Sequence, residues 1–168
     1  MATNIGTGPQ DIPLNQFLGQ MAFMDDVPKK PSFQAVKNNS NHNFTANTRT
    51  IIGGWVENHD DGGMFNATTG VITIPVAGLY WFYCTVMQER NDNGDFQLSI
   101  NKNNSTTPYV NTNDLSDSGT TTFQQTHVST IIKCEKGETL DFRVYNSSGT
   151  SSYIYRNTYT HCGGYQIH

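Results

Sequence analysis

Charge is scarce in this sequence. Only 14% of its 168 residues are Asp, Glu, Lys or Arg, and hydrophobic residues make up 35%. That balance excludes a charge-rich disordered chain. No stretch approaches the roughly 18 apolar residues that span a bilayer, so no membrane partner is expected. The net charge is −4, and Lys29-Lys30 is the densest basic spot. Nucleic acid is therefore excluded as a partner, because its binding draws on clustered Lys and Arg contacts that release counterions. There are three cysteines, Cys84, Cys134 and Cys162. The odd count leaves at least one unpaired within a monomer, and no CxxC spacing marks a metal knuckle. Cys84 falls in phase with Tyr80, Phe82 and Val86, so buried thiols are expected. The first ten residues lack the charged-then-apolar pattern of a secretory signal, which predicts synthesis in a cytoplasm. The nucleophile elbow, P-loop, HExxH and dinucleotide fingerprints are all missing, and His42, His59, His127, His161 and His168 have no metal-ligand spacing. No catalytic residue and no metal site are assigned, and an enzyme is not expected.

What is present is Asn, Thr, Gly and aromatic residues in alternating runs, a composition that favours strands. Residues 71–76 read as a short strand and 79–88 as a longer one, with Tyr80/Phe82/Cys84/Val86 alternating against Trp81/Tyr83/Thr85. Asn91 to Asp95 carries the Asn-Gly signal of a type I′ hairpin, with Phe96 to Asn101 as the return strand. Further strands are expected at 108–113, 120–133, 139–145, 153–159 and 164–168. Many short strands with turns every dozen or so residues predict an all-β, two-sheet sandwich or jelly roll.

The central residues resemble a known family. Phe65-Asn66-Ala67-Thr68-Thr69-Gly70-Val71-Ile72-Thr73-Ile74-Pro75-Val76-Ala77-Gly78-Leu79-Tyr80-Trp81-Phe82 is similar to the signature of the globular C1q-like domain, of the tumour necrosis factor/C1q type. Phe33-Gln34-Ala35, Trp55 to Asn58, Leu98 to Asn103, Gly137 to Val144 and Cys162 to Ile167 resemble flanking strands. Ile72 and Cys162 depart from the aromatics usual at their positions. The resemblance covers residues 31–168 and implies a jelly roll that associates as a homotrimer through aromatic-rich faces near its axis. Trp81 and Tyr83, or a terminal ladder of Tyr153, Tyr155 and Tyr159, are the candidate interface residues. Gly78 is expected to permit a tight reversal after Pro75. Some family members hold calcium near the trimer apex. Glu57 to Asp61 and Asn91 to Asp95 read as oxygen-rich loops that suit a hard cation. Turn chemistry accounts for both equally, so no cofactor is assigned. Exposed Tyr and Trp among many amides give a sugar-binding reading no stronger support.

Residues 1–30 stand apart as a Gly- and Pro-punctuated, extended N-terminal arm. Leu14, Phe17, Leu18, Met21 and Phe23 are its apolar anchors, with a helical turn or two expected between Leu14 and Phe23. Such a segment cannot bury its own apolar face and is expected to dock on a partner. Asn4 to Phe23 resembles a linker segment of virion structural proteins in tailed phages, particularly cyanophages. The expected role is a non-enzymatic capsid decoration, or cement, trimer. It would be made in the host cytoplasm, reside in the virion, and be held by its arm on other virion proteins such as the major capsid protein. The alternative is a tail-fibre or tail-associated receptor-binding adhesin module.

Overall fold

Period-two alternation sends every second side chain of a strand to the same face, and a chain of short alternating runs can bury those faces only by stacking two sheets. The computed structural model describes residues 29–90, 95–115, 122–147 and 152–168. Residues 1–28 of the arm, with its five apolar anchors, lie outside them. The strands are β1 (Ser32–Lys37), β2 (His42–Phe44), β3 (Thr50–Ile51), β4 (Val56–Asp61), β5 (Phe65–Asn66), β6 (Val71–Thr73), β7 (Gly78–Arg90), β8 (Asp95–Lys102), β9 (Val110–Leu115), β10 (Thr122–Cys134), β11 (Thr139–Asn146), β12 (Ser152–Ile154) and β13 (Asn157–Gln166). One seven-stranded sheet has the order β2-β12-β7-β13-β1-β4, with β10 on the other side of β7. The six-stranded sheet runs β5-β6-β11-β8-β9, with β3 pairing β11. This is the expected jelly roll.

Between the sheets lies one apolar core. Phe33, Tyr80, Phe82, Cys84 and Val86 enter it from one side, and Phe96, Leu98, Ile100, Leu140, Phe142 and Val144 from the other, all buried. Phe33 stacks on Phe65 at 4.4 Å and Tyr80 on Phe82 at 5.8 Å. All three cysteines are buried free thiols. Burial pushes the Cys84 and Cys162 thiols far up, and that of Cys134 up to about 11.

Two local readings need correction. The expected hairpin around Asn91 to Asp95 does not form, because β7 pairs with β10 and β13 whereas β8 pairs with β11 and β9. The chain passes from one sheet to the other there. The Asn-Gly dipeptide itself, Asn93-Gly94, lies outside the described residues. Gly78 has no positive φ. Its bare backbone instead lies against the His168 carbonyl and the Gln166 side chain, where a Cβ would collide. Glycine is needed there for closeness rather than for a reversal.

The strand directions give the module two distinct ends. Ser32 pairs with Tyr165, Gln166 N donates to Pro31 O at 2.9 Å, and Lys30 Nζ donates to Ile167 O at 2.5 Å. The junction with the arm and the C-terminus therefore share one end, here the base. The β1–β2 and β12–β13 connections lie at the opposite end, the apex.

Candidate functional site

Because partners in register point the same way, the outer face of the seven-stranded sheet can be read as rows across β10, β7, β13, β1 and β4. The row nearest the base is Ile131–Trp81–Tyr165–Ser32–Asp61, and the next is Ser129–Tyr83–Gly163–Gln34–His59. Trp81 stacks on Tyr83 at 4.8 Å and meets Tyr165 at 5.5 Å, while Tyr83 meets His161 edge-on at 5.9 Å. A Cβ on Gly163 would sit 2.7 Å from the Tyr83 hydroxyl, so this glycine lets the ring lie across the neighbouring strand. There the hydroxyl accepts a hydrogen bond from Gln34 Nε2 at 3.3 Å. The rings and Gln34 border a groove of about 240 Å³ that also includes His59.

A second cluster sits on the same face towards the apex. Phe123 meets Tyr155 edge-on at 5.4 Å, and Tyr155 lies 6.4 Å from Tyr153. Exposure on this face is high for an apolar surface, reaching 56% for Ile131, 54% for Phe123, 59% for Tyr159 and 47% for Tyr165. A sandwich rarely leaves so many large apolar side chains of one face bare.

The structure thus brings all five sequence-derived candidates to one face, but not as two alternatives. Trp81 and Tyr83 belong to the basal cluster and Tyr153 and Tyr155 to the apical one. Tyr159 stands on β13, because the chain leaves β12 at Tyr155-Arg156 before β13 begins. The expected continuous tyrosine ladder is therefore broken. Tyr165, Ile131 and Phe123 were missed. The signal was available in part, since Tyr165 alternates out of phase with Cys162 and Gly164.

The amino-acid sequence matches the C1q domain family over residues 32–167. The chain belongs to the C1q family. Domains of this family commonly form homotrimers. The fold of this C1q domain is shared with murine APRIL (TM-score 0.63, 10% identity, 83% of this chain and 100% of that one). It is likewise shared with the globular domain of zebrafish complement 1qA (TM-score 0.59, 16% identity, 83% and 98%). A third similar structure is Eiger TNF from S. frugiperda (TM-score 0.64, 12% identity, 83% and 93%). Among curated proteins there is no sequence match.

In this C1q domain the segment Glu57 to Asp61 is not a loop. It is most of β4, whose alternating side chains do not converge. Asp60 spends both carboxylate oxygens on backbone amides, Oδ1 accepting from Met64 N at 2.9 Å and Oδ2 from Phe65 N at 3.0 Å. Capping of a turn accounts for that acid, and no calcium is needed to explain it. Among the described residues no three His, Cys, Asp or Glu side chains gather as a metal site.

Inside the apex, Lys37 is buried and donates to Gly54 O at 2.5 Å. Nearby His42 has a buried Nε2 with no hydrogen-bond partner. Burial, then the Lys37 charge, brings the His42 pKa down from 6.5 to about 4. The unfolded chain therefore binds the His42 proton more tightly than the folded one. The stability from keeping His42 neutral is complete above pH 6.5 and is lost as pH falls from about 6.5 to about 4. A full unit is worth about 1.36 kcal/mol, but His42 is only half-buried and partly screened. The expected loss between pH 7 and pH 5 is about 1 kcal/mol, seen as a melting point several degrees lower. His42→Gln should flatten that slope. An unchanged slope in the variant would assign the pH dependence to other groups.

Proposed function

We propose that this C1q domain is a non-enzymatic module that works as a homotrimer. Its protomers meet through the outer face of the seven-stranded sheet, with Trp81, Tyr83, Tyr153, Tyr155 and Tyr159 in or beside the contact. The supporting observation is the two aromatic clusters and exposed Ile131, Phe123 and Tyr165 on that one face. Burying that surface removes apolar area worth about 25 cal/mol per Å² from water.

The finer reading is that of a phage virion protein, a capsid decoration trimer tethered by residues 1–30 to other virion proteins such as the major capsid protein. It rests on the resemblance of Asn4 to Phe23 to a virion linker and on the apolar anchors Leu14, Phe17, Leu18, Met21 and Phe23. Each anchor would contribute roughly 1.5–3 kcal/mol on docking, before ordering costs. Three arms leaving one base would act together. Deleting residues 1–30 is expected to leave a trimer of unchanged melting point that no longer binds particles lacking the protein. Wild-type binding by the truncated trimer would place attachment on the jelly roll instead. The adhesin reading is favoured by the apex loops pointing away from the arm junction. Copy number separates the two, with hundreds per particle for decoration and only tens for a fibre.

A further inference from the structure

The outer face of the six-stranded sheet is built from polar side chains, and among the described residues one of its cations, Arg49, has no carboxylate partner. β8 and β11 send Leu98, Ile100, Phe142 and Val144 into the core and turn Gln97, Ser99, Asn101, Asp141, Arg143 and Tyr145 to the other side, where Ser99, Asn101, Asp141 and Arg143 are themselves buried and Gln97 and Tyr145 half-buried. Arg143 forks onto Asp141, with Nε to Oδ1 at 2.5 Å and a terminal nitrogen to Oδ2 at 2.8 Å. The same terminal nitrogen also donates to Asn104 Oδ1 at 3.0 Å. Lys102 is likewise paired, at 2.7 Å from Glu138.

Arg49, just before β3, is different. Its terminal nitrogens donate to Ser99 Oγ at 3.0 Å and Gln97 Oε1 at 2.7 Å, and its guanidinium stands 5.4 Å from the Tyr145 ring centre. Both acceptors are neutral, and no carboxylate lies within ion-pair reach among the described residues. The Nε–H and one N–H on each terminal nitrogen remain without an acceptor there. Partial burial, then the nearby Arg143 charge, work against the Arg49 cation. A partly desolvated guanidinium with open donors has more to gain from a carboxylate than a solvated one does.

The surroundings narrow the carboxylate to a class. Register places Tyr145, Gln97 and Asn113 in one row and Arg143, Ser99 and Asn111 in the next. Asn111 and Asn113 are exposed on the edge strand β9, joined by one hydrogen bond of 2.9 Å that leaves the Asn113 amide nitrogen and the Asn111 oxygen open. One free cation, one aromatic ring and a line of amides match a ligand with one carboxylate per ring and hydroxyls around it. A run of acidic side chains would find a single partner here. We infer that Arg49, with Tyr145, Gln97, Asn111 and Asn113, forms a binding site for a carboxylated saccharide, the carboxylate docking on the Arg49 guanidinium. The site lies on the sheet opposite the aromatic clusters, so it stays open whether or not protomers pack through that face. Tyr145, Gln97, Asn111 and Asn113 stand on strands and Arg49 immediately precedes one, so the site is held in place before the ligand arrives.

The test is titration calorimetry of the full chain with trigalacturonic acid, neutral galactotriose and pentaglutamate at moderate salt. Trigalacturonate should bind at least tenfold more tightly than either control. Arg49→Gln should lose at least tenfold in affinity. Arg49→Lys, which keeps the charge but not the fork, should fall between. Asn113→Ala, at an exposed position on the edge strand, should lose about threefold and stands in if Arg49→Gln does not fold. Equal binding of the neutral sugar, preference for pentaglutamate, or full affinity in both Arg49→Gln and Asn113→Ala would each overturn the site.

Discussion

Gly70→Ala is expected to destabilise the domain by at least about 3 kcal/mol, lowering its melting point by roughly 10 °C. Gly70 closes the signature turn, its N–H donating to Asn66 O at 2.7 Å while Thr69 N donates to Asn66 Oδ1 at 3.0 Å. Its φ is +76°, a left-handed conformation that costs any L side chain about 1–2 kcal/mol. A Cβ there would also overlap the Ile52 carbonyl, because the chain from Ile52 to Trp55 runs directly over the turn. Gly54 N donates to Thr68 O at 2.9 Å and Trp55 N to Ala67 O at 2.8 Å, so neither segment can draw back without losing both bonds. Gly137 supplies the control. Its φ is +87° but nothing lies within 4 Å of its missing Cβ, so Gly137→Ala should cost only the conformational part, about 1–2 kcal/mol. Urea unfolding of the two variants separates the contributions. Equal losses would show that the overlap with Ile52 does not matter.

The second large effect concerns association. Ile131 and Tyr165 flank Trp81 in the basal row and are 56% and 47% exposed in the single chain. Replacing both by Asp removes little from the protomer's own core. In a trimer it would place six carboxylates in apolar contacts, at a cost of several kcal/mol each unless they found partners. Ile131→Asp/Tyr165→Asp is therefore expected to run as a folded monomer at micromolar concentration, with near-native circular dichroism. Tyr109, 55% exposed ahead of the edge strand β9, gives the matched control, and Tyr109→Asp should remain associated. A trimeric double variant would remove the basal cluster from the interface.

Most of the fold could be read from the residues, because period two is explicit where one face is core. Tyr80/Phe82/Cys84/Val86 and Leu140/Phe142/Val144 announced their strands, and the block from Phe65 to Phe82 announced the family. The crossing between β7 and β8 could not be read, since it depends on β7 pairing with β10 and β8 with β11, each more than thirty residues away. The role of Gly78 was hidden likewise, because closeness to His168 is a tertiary fact. Of the interface candidates, Trp81 and Tyr83 were legible as the out-of-phase set, whereas Ile131 and Phe123 stand among threonines and glutamines with no aromatic pattern around them. Arg49 gave no signal at all. Only the structure shows that Arg143 takes Asp141 and leaves Arg49 with neutral partners.

The central claim is that this C1q domain assembles as a trimer through the outer face of its seven-stranded sheet. Light scattering on the purified full chain at micromolar concentration tests it directly. The account predicts a single species of three times the 18.7 kDa chain mass. A monodisperse species at one chain mass would contradict it.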